Sequence, residues 1–284
     1  MTRSIAGTLQ VVRDRLRVLV GGVAELVLPG LAREIDDGRS SGRALRLKRA
    51  IVHSRLRRGE WRNDPAALEQ ALQAYWRSDV NEGFYTAFVA RFDDWFRGPH
   101  YRLVDALAEA VAANPRLVRL VEAGCGDGRV LVHIAERLPD LQEFVGLDLN
   151  ARIIARNVRV HGNRPRLRFV QSDARRWLAD ETRDGTILFS YGGVLEYVSQ
   201  PELAAIFARL GRHRDTAVAL VEPVDPRHNL TSDAGSHPHG VERSFSHNHL
   251  ALLAAAAFTI RFAEELTVYG IRWMMIVAVS EPAT

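Results

Sequence analysis

The stretch VEAGCGDGRV, residues 121–130, sets Gly124, Gly126 and Gly128 into five positions directly after the mostly apolar run 117–121, with Glu122 just ahead of them. Glycines spaced this way mark a strand-to-helix turn, where missing side chains let backbone N–H groups and the helix N-terminus come close to a ligand. A tight turn without a ligand is the alternative. A dinucleotide fingerprint requires G-x-G-x-x-G, and counting from Gly124 puts Arg129 where the third glycine belongs. A phosphate-gripping loop fails too, because no Gly-Lys-Ser/Thr follows.

Around this turn the chain changes texture. Up to about residue 113 the periodicity is helical: Leu9, Val12, Leu16, Leu19 and Val23 recur at helical spacing, as do Phe84, Phe88, Phe92, Trp95 and Phe96. After Asn114-Pro115, short β-branched runs alternate with helix-like segments. Strands are expected near 118–123, 143–148, 166–171, 185–190 and 216–222, with helices over 128–137, 151–160, 200–211 and 247–257. Two closing strands, near 258–266 and 271–279, follow one another around Gly270 and predict an antiparallel hairpin at a sheet edge. Alternation of this kind gives a mostly parallel sheet with helices on both faces. The division expected is a helical cap over 1–100 and a cofactor-binding domain over 101–284.

Composition narrows the class. The chain has 284 residues, 47% of them apolar, enough for a sizeable core. Its net charge of +4 comes almost wholly from arginine, since Lys48 is the only lysine, so basicity by itself is weak evidence for nucleic acid. The lone cysteine, Cys125, excludes an intrachain disulfide framework and a cysteine-based zinc cluster, and fits a reducing cytoplasm. Arg13, Asp14, Arg15 and Arg17 break the first apolar stretch where an export signal needs it unbroken. The run 18–32 contains Glu25 and Pro29 and is too short to span a bilayer, so it reads as a buried or interface helix that admits a homodimer.

The spacing [E/D]-x-G-x-G-x-G from Glu122 to Gly128 resembles the class I S-adenosylmethionine-dependent methyltransferases, and three later segments extend the resemblance. FVGLDLN (144–150) places Asp148 about twenty residues beyond the loop, FVQSDARRW (169–177) carries Asp173 and Ala174, and ILFSYGGVLEYV (187–198) matches the family's fourth strand and its loop. The resemblance covers about residues 84–280. It implies a Rossmann-like α/β fold: a seven-stranded, mostly parallel sheet with an antiparallel last strand, here with an N-terminal helical cap. It also implies S-adenosyl-L-methionine as cofactor and S-adenosyl-L-homocysteine as product. Glu122 would face the cofactor's positive charge, with Gly124, Cys125 and Gly126 passing its methionine and ribose. Asp148, next to Leu149, would accept from ribose hydroxyls or else cap the following helix, and both can hold. Asp173 and Ala174 would meet the adenine, and Ser190 would close the set.

Methyl transfer from a sulfonium is an in-line displacement, so the protein chiefly aligns the reactants and excludes water. Ligands in open α/β sheets lie beyond the carboxyl ends of the strands, which nominates Tyr191, Glu196, Tyr197, Glu222 and His228 for the acceptor side. Tyr191 orients a substrate or packs; Glu196 is a base, a binder of a cationic group, or a solvated helix acid. Tyr85 and Tyr101 would belong to a lid over the cofactor. Half of the ten histidines, His228, His237, His239, His247 and His249, fall in one short segment. HPH and HNH lack a helical i, i+4 pair, so no metal is assigned, and a general base or a polar loop are the readings kept. The basic stretch 39–62 suits a solvated helix face, an anionic substrate or an RNA backbone. The expectation is methyl transfer to a small, biosynthetic molecule. The alternatives are an RNA or protein methyltransferase and a scaffold that binds the cofactor without turnover.

Overall fold

The computed structural model describes residues 5–38, 44–78, 92–240 and 243–280. The chain divides into two compact units: residues 1–83 with 240–244, and residues 84–239 with 245–284.

The first unit is helical, with α1 (Ile5–Val27), α2 (Pro29–Asp36), α3 (Leu45–Trp61) and α4 (Pro65–Arg77). Asp64 starts α4 by accepting from the Ala67 N–H at 3.0 Å, with Pro65 at the first helical position. The acids that balance the basic stretch lie on other helices or further along the same one. Arg55 pairs with Glu25 at 2.7 Å, Arg57 with Glu60 at 2.7 Å and with Asp14, and the fully buried Lys48 with Glu34 at 2.9 Å. Of the two readings of 18–32, a buried helix or an interface helix, burial of one continuous helix does not hold. Pro29 splits it, and Leu19, Val23, Leu26 and Val27 of α1 are exposed. No helix among the described residues is long and apolar enough to cross a membrane.

The second unit contains α5 (Tyr101–Ala113), β1 (Arg119–Ala123), α6 (Arg129–Arg137), β2 (Glu143–Asp148), α7 (Ala151–His161), β3 (Leu167–Gln171), α8 (Ala174–Glu181) and β4 (Thr186–Tyr191). It continues with a 3₁₀ turn (Leu195–Tyr197), α9 (Gln200–Leu210), β5 (Ala217–Pro223), the short strands β6 (His237–His239) and β7 (Ser244–Ser246), α10 (His249–Ala255), β8 (Phe258–Val268) and β9 (Ile271–Ser280). Seven strands form one sheet in the order β3-β2-β1-β4-β5-β9-β8, with β9 antiparallel to both neighbours; β6 and β7 pair separately. The chain reverses its direction of travel across the sheet between β1 and β4. That is the topological switch point at which open α/β sheets hold ligands.

Alternation along the strands feeds two cores. Leu120, Phe144, Ile187 and Phe189 pack with Leu107 of α5 and Leu131 and Ile134 of α6. Val121, Val145, Leu188 and Leu220 pack with Trp177 of α8, Phe207 of α9 and Leu253 of α10. Two features were not read from the sequence. Helix α8 is short and starts at an Asp173 cap within ordinary polar sequence, and the β6–β7 pair is only three residues wide.

Phe189 is fully buried at the centre of the sheet. Phe189→Ala should cost about 3–5 kcal/mol of unfolding free energy in urea titrations. A loss below 1 kcal/mol would contradict this packing.

Candidate active site

The carboxyl ends of the parallel strands place Glu122, Asp148, Ser190, Tyr191 and Glu222 along one edge, with parallel register pairing Ala123 with both Leu147 and Ser190. Glu122 is buried, and among the described residues its Oε2 has no hydrogen-bond partner. Burial pushes its pKa well above the usual carboxyl value, and the nearby Asp127 and Asp148 carboxylates push it further the same way. Three acids thus share a corner of the protein in which at least one of them resists ionising.

The loop beside them is open by construction. At Gly124 φ is +67°, and a Cβ there would lie 2.7 Å from the Val194 methyls. At Gly126 φ is +49°, and a Cβ would meet nothing within 4 Å, so the backbone there borders free space. Asp148 ties this loop to β2: its Oδ2 accepts from the Gly126 N–H at 3.1 Å and its Oδ1 from the Asn150 N–H at 2.9 Å. The capping role left open for Asp148 falls instead to Asn150, whose side chain accepts from the N–H groups of Arg152 and Ile153. The Cys125 thiol is buried and its pKa is pushed up by burial, so it is a packed group and not a nucleophile. Leu149 is half-buried beside Asp148. Asp173 caps α8 and also accepts from the Arg175 guanidinium at 2.6 Å; Ala174 follows as the first residue of that helix.

A second network holds the turn after β4. Glu222 is fully buried. It accepts from the Ser190 hydroxyl at 2.5 Å and from the N–H groups of Val194, Leu195 and Glu196 at 3.2–3.3 Å. Burial raises its pKa to about 7 against the pull of these four donors. Ser190 and Glu222 therefore act on the turn, fixing Gly192 to Val198 over the strand ends.

Tyr191 is also buried. Its hydroxyl lies 3.1 Å from His100 Nδ1, and burial raises the phenol pKa while lowering that of His100 to about 4. Phe96, Trp273 and Trp95 surround the pair. His100 was not legible as a site residue, because a lone histidine before a helix carries no motif. Tyr101 opens α5 with its hydroxyl 3.3 Å from His133 Nε2. Tyr85 lies outside the described residues.

Glu196 is buried, and its Oε2 is 3.9 Å from His239 Nε2. His228 is buried with Nδ1 2.8 Å from Ser246 Oγ and Nε2 3.2 Å from the Asp233 carbonyl oxygen. The histidine standing next to Glu196 is thus His239, not His228. His247 and His249 are buried beneath the segment, and burial lowers both pKa values, that of His247 to about 4.

The sequence family described as "Methyltransferase domain" matches residues 120–215. No curated protein matches the chain by sequence. Among solved structures, the chain is similar to the magnesium protoporphyrin IX methyltransferase of Synechocystis PCC 6803 with bound SAM, at 16% identity and a TM-score of 0.47, over 71% of this chain and 95% of that one. It is also similar to the 1,6-didemethyltoxoflavin-N1-methyltransferase of Burkholderia thailandensis, at 17% identity and a TM-score of 0.47, over 71% and 89% of the two chains. A TehB-like SAM-dependent methyltransferase of Corynebacterium glutamicum is similar at 17% identity and a TM-score of 0.46, over 71% and 100%.

The Glu222 network predicts a pH dependence. Its folded pKa of about 7 lies above the ordinary carboxyl value of 4.5, so its contribution to stability is full in acid and is lost as pH rises through about 7. The difference in melting temperature between the wild-type chain and Glu222→Gln should therefore narrow from pH 5 to pH 9. A constant or widening difference would contradict the assignment.

Proposed function

We propose that this chain is a class I S-adenosylmethionine-dependent methyltransferase that transfers the methyl group to a nucleophilic atom of a small, biosynthetic organic molecule, a reading supported by the match of residues 120–215 to the family described as "Methyltransferase domain". The observation that carries this reading is Glu122: a buried carboxylate with an unpartnered oxygen, beside two further acids and an open glycine loop. Such a corner favours a cation over a phosphate. When bound, S-adenosylmethionine supplies an electrophilic methyl carbon on a sulfonium.

Each residue then has a stated task. Glu122 faces the cofactor's positive charge. Gly124, Cys125 and Gly126 supply backbone that a side chain would otherwise block. Asp148, with Leu149 against it at the end of β2 and tied to the glycine loop through the Gly126 N–H, accepts from the ribose hydroxyls. Asp173 and Ala174 meet the adenine at the start of α8. Ser190, through Glu222, keeps the post-β4 turn in place.

On the acceptor side, Tyr191 is held by His100 and orients the acceptor. Glu196 and His239 take the proton that the nucleophile gives up as its new bond to carbon forms and the carbon–sulfur bond breaks. Burial keeps His239 largely neutral near pH 7, as a proton acceptor must be. The charge pairing of Arg55, Arg57 and Lys48 disfavours the reading as an RNA methyltransferase, because these cations already have acidic partners.

Incubation with S-adenosylmethionine and a panel of host metabolites, read by mass spectrometry, should show one small molecule gaining a methyl group. Asp148→Ala should weaken cofactor binding by at least tenfold in calorimetry while the chain remains folded. Methylation of RNA or protein alone, with no metabolite modified, would overturn the acceptor class. Equal affinity in the Asp148 variant would remove the ribose assignment.

A further inference from the structure

The segment between β5 and α10 brings together three side chains that the methyl-donor site does not use in common. His228 Nε2 lies 3.9 Å from Asp233 Oδ2, and His237 Nδ1 lies 4.0 Å from the same oxygen. The three atoms are mutually within 4.8 Å, and the two imidazole centroids are 4.6 Å apart. We propose that His228, Asp233 and His237 form a binding site for a divalent transition-metal ion of the zinc type, with its remaining positions open to water or to a ligand.

The ligand set fits that chemistry. Two imidazoles and one carboxylate are the donors of open, zinc-type centres, with bonds of about 2.0–2.2 Å. A tetrahedral ion with such bonds holds its donors about 3.3 Å apart, so closure requires movements of the order of 1 Å. The chain can supply them. The Asp233 and His237 side chains are 49% and 38% exposed and can shift, while His228 is fully buried and supplies the fixed point.

The surroundings of His228 admit the tautomer that a metal ligand needs. Ser246 Oγ already accepts the Asp225 N–H at 2.9 Å, and its other lone pair can accept from His228 Nδ1–H at 2.8 Å. In that tautomer the Nε2 lone pair faces the Asp233 carboxylate, with His237 beside it; in the other, Nε2–H donates to the Asp233 carbonyl oxygen at 3.2 Å, and binding of an ion replaces that proton. Ligating histidines usually donate their second ring N–H to a carboxylate, a backbone carbonyl or water, and the Ser246 hydroxyl stands in that place here. Solvent reaches the site through the half-exposed Asp233 and His237 side chains.

Histidine spacing alone missed this arrangement. The third ligand is an aspartate, and His228 and His237 are brought together by the loop and not by a helix. The proposal is independent of the methyl donor, since none of its ligands belongs to the proposed cofactor set.

The test uses the full chain with any tag removed, stripped with a chelator and titrated with Zn²⁺ in competition with a chromophoric chelator. Bound metal is counted by atomic emission. Wild type should hold about one Zn²⁺ per chain. Asp233→Asn and His237→Gln should bind at least tenfold more weakly, with unchanged melting of the metal-free chains, and Ser246→Ala about 10–100-fold more weakly. His213→Gln, a histidine facing Asp184 elsewhere, should bind as wild type does. A wild-type chain that retains no zinc, or Asp233 and His237 variants with wild-type affinity, would overturn the proposal.

Discussion

An acid buried without a partner is costly unless it stays neutral or a cation comes to it. Glu122 is in that position at the end of β1, with Asp127 and Asp148 near enough to oppose its ionisation. The local architecture follows from keeping this corner open. Gly124 leaves room for Val194, Gly126 borders free space, and the Asp148 carboxylate ties the loop to β2 through the Gly126 N–H without filling the corner. The switch of chain direction between β1 and β4 opens the crevice there, and the two apolar cores on either face hold it rigid.

The neighbouring strands solve a related problem differently. Glu222 is as deeply buried as Glu122, yet four donors meet it, so its carboxylate serves as an anchor for the turn over the site. Tyr191 and His100 form a third buried polar pair, enclosed by aromatic rings. Glu222 thus anchors the turn through its four donors, whereas Glu122 Oε2 meets no donor among the described residues.

Much of this was legible in the sequence because it depends on local pattern. The parallel strands and the closing hairpin around Gly270 are written in β-branched runs and turn residues, and the glycine loop and Asp148 in their spacing. What was not legible depends on contacts between residues far apart in the chain. His100 meets Tyr191 across ninety-one positions, and Glu222 reaches the β4 turn across nearly thirty. The histidine segment was visible as composition only. Its folding separates His239, beside Glu196, from His228, beside Asp233 and His237, and no periodicity encodes that division. The basic stretch 39–62 admitted several readings for a similar reason, since several of its acidic partners lie on α1 and α2.

Glu122, as proposed, awaits a positive charge. Calorimetry of S-adenosylmethionine binding at one pH, in buffers of different ionisation enthalpy, measures the protons exchanged on binding. The account predicts a net release of protons with the wild-type chain, as the raised carboxyl ionises against its cation, and a smaller release together with weaker binding in Glu122→Gln. Identical proton exchange and identical affinity in the two chains would contradict it.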